Sequence, residues 1–451
     1  MSDQATWEPI LSIPPVKSKN YSAHLFSIEK HLPRVVVVLL ALALSPVMVF
    51  GQSEIHTHAA LARSDELTFD MLVSAAMEHS SELLSLASMQ SQADAYADAS
   101  TGVLPGQYTW RALVFDDGIT DKQGVRETEM GIDIGLWRYG EKSAAKMLSV
   151  SYGKRVEVFD RYLRWLSSGR VRQALAGLND ADNSLAGEIE IADNLKAIED
   201  VVSTLLVEGV VAEAELLRVQ AESLEQELRV LDARAALVDA ERYYQIVTGF
   251  AIRPSVNLTE PSPQFASETS ELEVTSDHPL LNMLSQEVEV YKGGAKRIQY
   301  NARNRTTLSV GVRREEVGAT TPNSDTLSIG ISVPLGGNRQ SRPQVEDALG
   351  LATDAEVSLH QARRSLQLSL HEAAHQLGVI TEALSVNGRR KALAERRVEM
   401  TLAAFEEGEA DLEEMLRVRR ALSSIDRELN SLQAEKLRRV GEFRQAKGDL
   451  L

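Results

Sequence analysis

Two halves of this 451-residue chain repeat each other at a constant offset of 199 residues. Four separate landmarks share the offset, so the lengths between them also agree, and each half is one structural unit repeated with few insertions. Each unit is predicted to be a long helix, a β-hairpin, a very long helix, a turn and a further helix. The landmark pairs are His79 and His278, 131–136 and 330–335, Gly209 and Gly408, and 217–219 and 416–418.

A chain of this length normally holds two or three domains. We predict a signal peptide over 1–51, a first repeat over 66–250, a linker over 251–277 that is rich in Pro, Ser, Thr and Glu, and a second repeat over 278–448. The net charge of -17 argues against a nucleic-acid partner. The chain has no cysteine, which excludes disulfides, thiol catalysis and Cys-based metal sites.

The N-terminal region is typical of a secretory signal. Residues 35–44 form an apolar core that follows basic residues and ends at Ser45-Pro46. This core is short for a bilayer-spanning helix, which needs about 20 residues. We expect cleavage that leaves a mature chain beginning near Gln52. An uncleaved membrane anchor is the alternative, and the long segment before the core also fits an over-extended translation start.

The predicted hairpins, 107–137 and 306–335, alternate apolar residues with small or polar ones. A strand of nine or ten residues with one apolar face has the length and period of a tilted membrane β-strand. The alternation alone also fits a half-buried soluble hairpin; the signal sequence and the long flanking helices favour the membrane. In the last strand the apolar positions are Leu327, Ile329, Ile331, Val333 and Leu335.

Residues 141–208 and 344–407 contain no proline and are predicted to form helices of roughly 100 Å. Gly209 and Gly408 follow, where a left-handed helix cap suits glycine. The helices after these turns, 212–248 and 411–446, carry coiled-coil seams. A plain antiparallel coiled coil would explain the helices but not the hairpins. The seams are Leu217, Ala221, Leu224, Leu228, Leu231, Ala235 and Val238, and Met415, Val418, Leu422, Ile425, Leu429 and Leu432.

Four strands in one chain cannot close a membrane barrel, and open strand edges are not tolerated in lipid. If the hairpins enter a membrane, several copies must complete one closed sheet. Ser, Gly and Asp would then face a wet lumen, and Ile, Leu and Val would face lipid. This reasoning predicts a homo-oligomer without giving the number of copies.

At four places the residues resemble the TolC-like outer-membrane efflux family, the outer membrane factors of tripartite efflux systems. These are the helix start 277–281, the strand 329–335, the turn 408–420 and the repeat end 243–249. The resemblance covers roughly residues 66–448. It implies a mainly α fold with membrane β structure, in which a long α-helical coiled-coil barrel joins β-hairpins that complete a 12-stranded transmembrane barrel in a homotrimer.

The resemblance further implies an exit duct in the Gram-negative outer membrane, with a large periplasmic part and no catalytic activity or cofactor. The implied partners are outer-membrane lipid, a periplasmic adaptor protein and an inner-membrane pump of RND or ABC type. No nucleic acid is expected to bind. The exported substrate, whether drug, metal ion or protein, is not indicated by the sequence, because selectivity rests mainly with the pump.

The family also suggests where the periplasmic mouth lies. Acidic residues just past the turn glycine can ring the closed end of such a duct, which predicts a cation-selective mouth that divalent cations block. Arg417 stands where the family often has Asp, and its pairing with Glu414 should stabilise by only ~0.2–0.5 kcal/mol, too little to neutralise the ring. The predicted aperture residues are Glu215, Glu414 and Arg417, and the predicted adaptor contacts at the tips are Gly209, Gly408, Leu217 and Leu416.

Two other functions remain open. A periplasmic coiled-coil adaptor would also be secreted and helical, but it would need a β-rich lipoyl-like block that the chain lacks. His371-Glu372-Ala373-Ala374-His375 matches the HExxH zinc-protease motif. The third ligand position holds Thr381, however, and Glu395 would lie ~36 Å along the same helix. We therefore expect no metal there, and none at His56 and His58.

Overall fold

A computed structural model describes residues 60–106, 108–119, 124–255, 258–263, 273–301, 305–318, 322–335, 339 and 342–451. The predicted signal peptide, His56 and His58 lie outside these residues. The helices are α1 (Phe69–Glu78), α2 (Leu83–Thr101), α3 (Glu141–Val207), α4 (Glu213–Thr248), α5 (Pro279–Asn301), α6 (Arg342–Glu406) and α7 (Leu412–Lys447). The strands are β1 (Ala62–Ser64), β2 (Tyr108–Asp116), β3 (Val125–Gly135), β4 (Ile252–Pro254), β5 (Thr307–Val317) and β6 (Ser324–Ser332).

The two long helices predicted from the absence of proline are present. α3 has 67 residues and α6 has 65, which corresponds to roughly 100 Å each. The ends of α3, α4, α6 and α7 differ from the predicted ends by no more than two residues. No helix within the described ranges is long and apolar enough to cross a bilayer.

The two predicted hairpins, β2–β3 and β5–β6, join into one four-stranded antiparallel sheet with the order β2-β3-β5-β6. Strands β3 and β5 pair along their whole length, from Val125 opposite Val317 to Gly135 opposite Thr307. This leaves β2 and β6 as the two edges of the sheet. The last strand ends at Ser332, short of the predicted Leu335, because Pro334 has no N–H group to continue the ladder.

The helices form a layer in which each packs against its neighbours. In the half nearer the turns, the order across the layer is α4, α3, α7, α6, and α4 and α6 are its two edges. In the half nearer the sheet, the order is α2, α3, α5, α6. The buried core lies between adjacent helices of the layer. One cluster joins the two turns through Ile198, Val219, Phe405 and Leu416, among others.

Each repeat closes on itself through a histidine and a glycine. In the first repeat His79, which follows α1, lies against Gly249 after α4, and in the second repeat His278, which precedes α5, lies against Gly448 after α7. Both glycines have positive φ, and a Cβ on either would overlap the imidazole ring beside it. Gly249 and Gly448 are related by the same 199-residue offset as the two histidines. The sequence therefore contained an indication of this contact.

The two histidines differ in environment. His278 is fully buried, its ring meets Trp165 edge-on at 5.1 Å between centroids, and its Nδ1 accepts a hydrogen bond from the backbone N–H of Leu280 at 3.1 Å. Burial lowers the pKa of His278 from 6.5 to about 4. His79 is exposed.

We expect the buried histidine to make the fold sensitive to acid. As pH falls below 6.5 the unfolded chain binds a proton at this position and the folded chain does not, so stability is lost between pH 6.5 and about 4. The loss should reach about 2 kcal/mol by pH 5, at 1.36 kcal/mol per pKa unit. Thermal unfolding at pH 7.5 and pH 5 measures it. His278→Gln should flatten the dependence, whereas a similar flattening in His79→Gln would contradict this assignment.

Candidate functional site: the helical tips and the sheet

The turns after α3 and α6 have the same backbone geometry. Gly209 has φ of 76° and Gly408 has φ of 77°, the left-handed conformation expected from the sequence. After α3 the N–H of Val210 donates to the carbonyl of Leu205 at 2.9 Å, and after α6 the N–H of Glu409 donates to the carbonyl of Ala404 at 2.8 Å. Both tips therefore end in the same glycine-based cap.

The tips are strongly acidic. Segments 208–213 and 407–413 contain no Lys or Arg, and all their carboxylates are exposed. This end of the helical layer therefore presents a concentrated negative charge. That charge does not depend on how the carboxylates further along the helices are paired. The carboxylates are Glu208, Glu213, Glu407, Glu409, Asp411 and Glu413.

Glu414 lies just inside this acidic end and is bound by two arginines. Its Oε2 accepts a hydrogen bond from Nε of Arg417 at 2.7 Å, and its Oε1 accepts one from Arg397 of α6 at 2.9 Å. The Asp411 carboxylate caps α7 by accepting the backbone N–H of Glu414 at 2.7 Å. Hydrogen bonding to Arg417, and then to Arg397, lowers the pKa of Glu414. The carboxylate is held charged and in a fixed position.

The sequence analysis considered only Arg417 as a partner of Glu414. With Arg397 the cluster carries one net positive charge, so Glu414 by itself does not make the site acidic. Arg397 precedes the turn on α6, and the hairpin of α6 and α7 brings it beside Glu414. The first repeat has Ile198 at the position equivalent to Arg397. This difference between the repeats is the feature of the sequence that could have identified Arg397 as a second partner of Glu414.

Glu215, the repeat equivalent of Glu414, is only weakly paired. Its nearest guanidinium is that of Arg218, at 3.8 Å. Arg218 instead binds Glu413 of the other tip at 2.9 Å. This ion pair connects the two turns at the acidic end, and it places Glu215 and Glu413 on either side of one arginine.

Leu217 and Leu416 occupy equivalent positions but have opposite environments. Leu217 is 58% exposed, whereas Leu416 is 0% exposed, in the cluster that joins the two turns. The prediction that Leu416 contacts an adaptor is therefore wrong for this structure. α7 lies inside the helical layer and packs against both α3 and α6, whereas α4 lies at the edge.

The sheet has one exposed apolar face. A single row across the four strands places Trp110, Ile132, Val310 and Ile329 side by side, and all four are exposed. The apolar face ends at an ion pair between Arg314 and Asp325, 2.8 Å apart. An exposed apolar surface of this extent marks contact with a partner or with lipid.

The opposite face of the sheet is polar. Arg111 of β2 lies 3.2 Å from Glu129 and 3.7 Å from Asp133 of β3, and Arg313 of β5 pairs with Glu127. Between these charges Gly131 lies opposite Gly311. The two faces therefore have the alternation predicted from the sequence, with charged and small residues on one side and apolar residues on the other.

The HExxH residues lie on the exposed face of α6. The rings of His371 and His375 are stacked, with centroids 6.4 Å apart. No third His, Asp or Glu lies where it would complete a metal site with them in the described part of the chain. Ala373, within the motif, packs against α7. The expectation of no metal at this motif stays a prediction.

Several solved structures share this architecture. CusC, described as forming a transmembrane channel, matches with a TM-score of 0.68 at 14% identity, over 88% of this chain and 96% of that chain. The outer membrane protein VceC of Vibrio cholerae has a TM-score of 0.65 at 13% identity, over 84% and 96% of the two chains. The outer membrane channel CmeC of Campylobacter jejuni has 0.65 at 14%, over 92% and 94%. No protein-family model and no curated protein matches the sequence.

These similarities define a class of protein: the chain has the fold of the outer-membrane channels. Within that class it has the TolC-like fold, which was implied by the resemblance at one helix start, the last strand, the second turn and the end of the first repeat. At 11–16% identity the likeness concerns the fold, and the function follows from the surfaces described above.

Proposed function

We propose that this chain is a subunit of an outer-membrane exit duct of a tripartite efflux system. The observation that carries the proposal is a four-stranded sheet with an exposed apolar face, a charged opposite face and two open edges. The long helices that follow the hairpins in the chain are each roughly 100 Å long. Three copies would complete a 12-stranded barrel with no free edge in lipid. The helices would continue the duct through the periplasm.

The acidic tips are the proposed site for a periplasmic adaptor, around Gly209 and Gly408. A cap with open space around each glycine lets a partner approach the backbone closely. An inner-membrane pump of RND or ABC type would deliver the substrate through the adaptor. Export of the chain would depend on a signal peptide over residues 1–51, cleaved near Gln52. No catalytic step or cofactor belongs to this function.

Cell fractionation and channel recording test the duct. The protein should fractionate with the outer membrane as a heat-sensitive oligomer, and the purified oligomer should conduct ions in planar bilayers. N-terminal sequencing should place the start of the mature chain near Gln52. A soluble cytoplasmic monomer with residues 1–34 intact would refute both localisation and function.

We expect Glu414→Gln to reduce the cation preference of the channel several-fold. The change removes the one negative charge of the cluster and leaves Arg397 and Arg417 unpaired, so each copy gains a positive charge at the mouth. The reversal potential in a salt gradient and the block by divalent cations measure the effect. Glu372→Gln is the matched control, because Glu372 is exposed in the middle of α6. Equal selectivity in wild type and Glu414→Gln would show that Glu414 does not line the mouth.

A further inference from the structure

The packing of α3 against α7 changes from apolar to polar with distance from the turns. Near the turns, Leu195 of α3 and Leu416 of α7 belong to one buried cluster. Further along, the α7 side chains that line the contact are polar, although α7 lies inside the layer and polar residues are mostly exposed in proteins. Three of the four equivalent positions in the edge helix α4 hold leucine. The α7 residues are Arg419, Ser423, Arg427 and Asn430, and their α4 equivalents are Gln220, Leu224, Leu228 and Leu231.

A cavity of about 580 Å³ lies in this polar contact, between residues of α3, α4, α6 and α7. Some of its polar groups satisfy one another. The Glu188 carboxylate accepts hydrogen bonds from Arg427 at 2.7 and 2.9 Å and from the buried Gln226 amide at 2.7 Å. This part of the cavity wall therefore needs no further partner.

Three other side chains of the cavity wall have no such partner. Arg419, Ser423 and Asn194 are half-buried, and none of them makes a hydrogen bond to another of the described residues. The Nε of Arg419 is fully buried. A guanidinium, a hydroxyl and an amide can each donate a hydrogen bond. The cavity therefore contains a set of donors without acceptors.

The register of the two helices brings these three donors to one level. α3 and α7 run antiparallel, and Gly187 of α3 lies against Asn430 of α7. Asn194 is seven residues after that glycine, and Ser423 is seven residues before that asparagine, so the two lie opposite each other. Arg419 is one helical turn from Ser423. Donors from two helices thus converge on the same part of the cavity.

Arg419 is the positive charge of the set, and within the described ranges no carboxylate lies at ion-pair distance from it. Of the two nearest, Asp426 is bound by Lys391 at 2.8 Å, and Glu190 is exposed. Burial lowers the pKa of Arg419 and outweighs the attraction of Asp426 and Glu190. A half-buried guanidinium that lacks a bonded counterion is unfavourable, and an anion in the cavity would relieve that cost.

We propose that Arg419, Ser423 and Asn194 bind a phosphate group. Its tetrahedral oxygens can accept hydrogen bonds from several directions at once, and the planar guanidinium can donate two parallel bonds to it. The cavity has room for free phosphate or for a phosphate ester. The site is distinct from the acidic tips, since Arg419 is eleven residues, or ~16 Å of helix, beyond Gly408. A bound phosphate would connect α3 to α7 where their direct packing is weakest.

The internal repeat supplies the variants for a test. The equivalent residues are Gln220 for Arg419, Leu224 for Ser423 and Leu393 for Asn194, so neither repeat contains a second copy of the site. Arg419→Gln and Ser423→Leu therefore introduce residues that the same helical position already holds in the other repeat. Both are expected to fold.

Thermal unfolding of the full-length protein in detergent, with phosphate replacing chloride at constant ionic strength, measures binding. The unfolding midpoint of the wild type should rise with phosphate concentration. Arg419→Gln should weaken phosphate binding at least about tenfold, because charge-assisted hydrogen bonds are lost. Without phosphate its midpoint should be no lower than that of the wild type, because a half-buried charge has been removed. Ser423→Leu should weaken binding several-fold.

Arg390→Gln is the matched control, because it removes an exposed arginine of α6 that is paired with Glu428 at 2.9 Å. This variant should respond to phosphate as the wild type does. A wild type that does not respond, or an Arg419→Gln variant that responds equally, would overturn the proposal. Glycerol 3-phosphate separates the two sources of the group: tighter binding than that of inorganic phosphate assigns an ester, and weaker binding assigns the free ion. The measurement needs no conductance, so its outcome is independent of the proposed duct.

Discussion

Ile329→Arg is expected to abolish assembly of the channel in the outer membrane. Ile329 is 69% exposed, on the edge strand β6, at the opposite end of the apolar row from Trp110. An arginine facing lipid near the midplane of a barrel costs ~2–4 kcal/mol. In the proposed trimer every ring would contain three such residues, and the cost would rise to roughly three times that value. The amount of heat-sensitive oligomer in the outer-membrane fraction measures it.

Ser328→Arg is the matched control for this prediction. Ser328 is the preceding residue of β6, lies opposite Gly311 and points to the charged face. The same side chain introduced there should face the wet lumen, leave assembly near the wild-type level and change conductance instead. If both variants assembled equally well, the apolar face would not lie against lipid, and the barrel would be refuted.

Glu260→Ala is expected to destabilise the chain by about 3–5 kcal/mol, the usual cost of breaking a buried ion pair. Glu260 lies in the segment between the repeats. It binds the buried guanidinium of Arg172 through two hydrogen bonds of 2.8 and 2.9 Å. Arg172 also donates to the Gln445 side chain at 2.6 Å and to the Asp449 carbonyl at 3.0 Å. Without the carboxylate, Arg172 would be a buried charge with no counterion. The thermal unfolding midpoint measures the loss.

Two further variants test the cause of that loss. Glu225→Ala removes the exposed pair with Arg229, 2.9 Å long, and should cost under about 0.5 kcal/mol. Glu260→Leu combined with Arg172→Met replaces the buried pair by apolar side chains and should recover most of the stability. A double variant as unstable as Glu260→Ala would show that the segment is held by other contacts.

The sequence predicted best what depends on local pattern. The long helices end within two residues of their expected limits, because glycines with positive φ close them at positions the repeat also identifies. The hairpins follow from strict alternation of apolar and polar residues. The linker over 251–277 stays a prediction. Glu260 within it pairs with Arg172 of the first repeat and Arg444 of the second, and composition does not indicate these contacts.

The sequence could not show which helices and strands lie at an edge, and therefore which of two equivalent side chains is exposed. The tripeptides 217–219 and 416–418 have the same sequence, Leu-Arg-Val. Because α4 is an edge helix and α7 is a central one, Leu217 is exposed and Leu416 is buried. The pairing of β3 with β5 was also not predictable from local pattern, because it joins two hairpins that are far apart in the chain. Arg397 reaches Glu414 only because α6 and α7 pack side by side.

The two different edges of each copy have a consequence for inheritance. In a head-to-tail ring a subunit with one damaged edge can still bind a neighbour through its intact edge, and it then prevents closure. When wild-type and damaged chains are made in equal amounts, only about one in eight of the proposed rings of three would contain no damaged copy. Changes at the α4 or α6 edge should therefore be genetically dominant, whereas a chain too unstable to fold should be recessive.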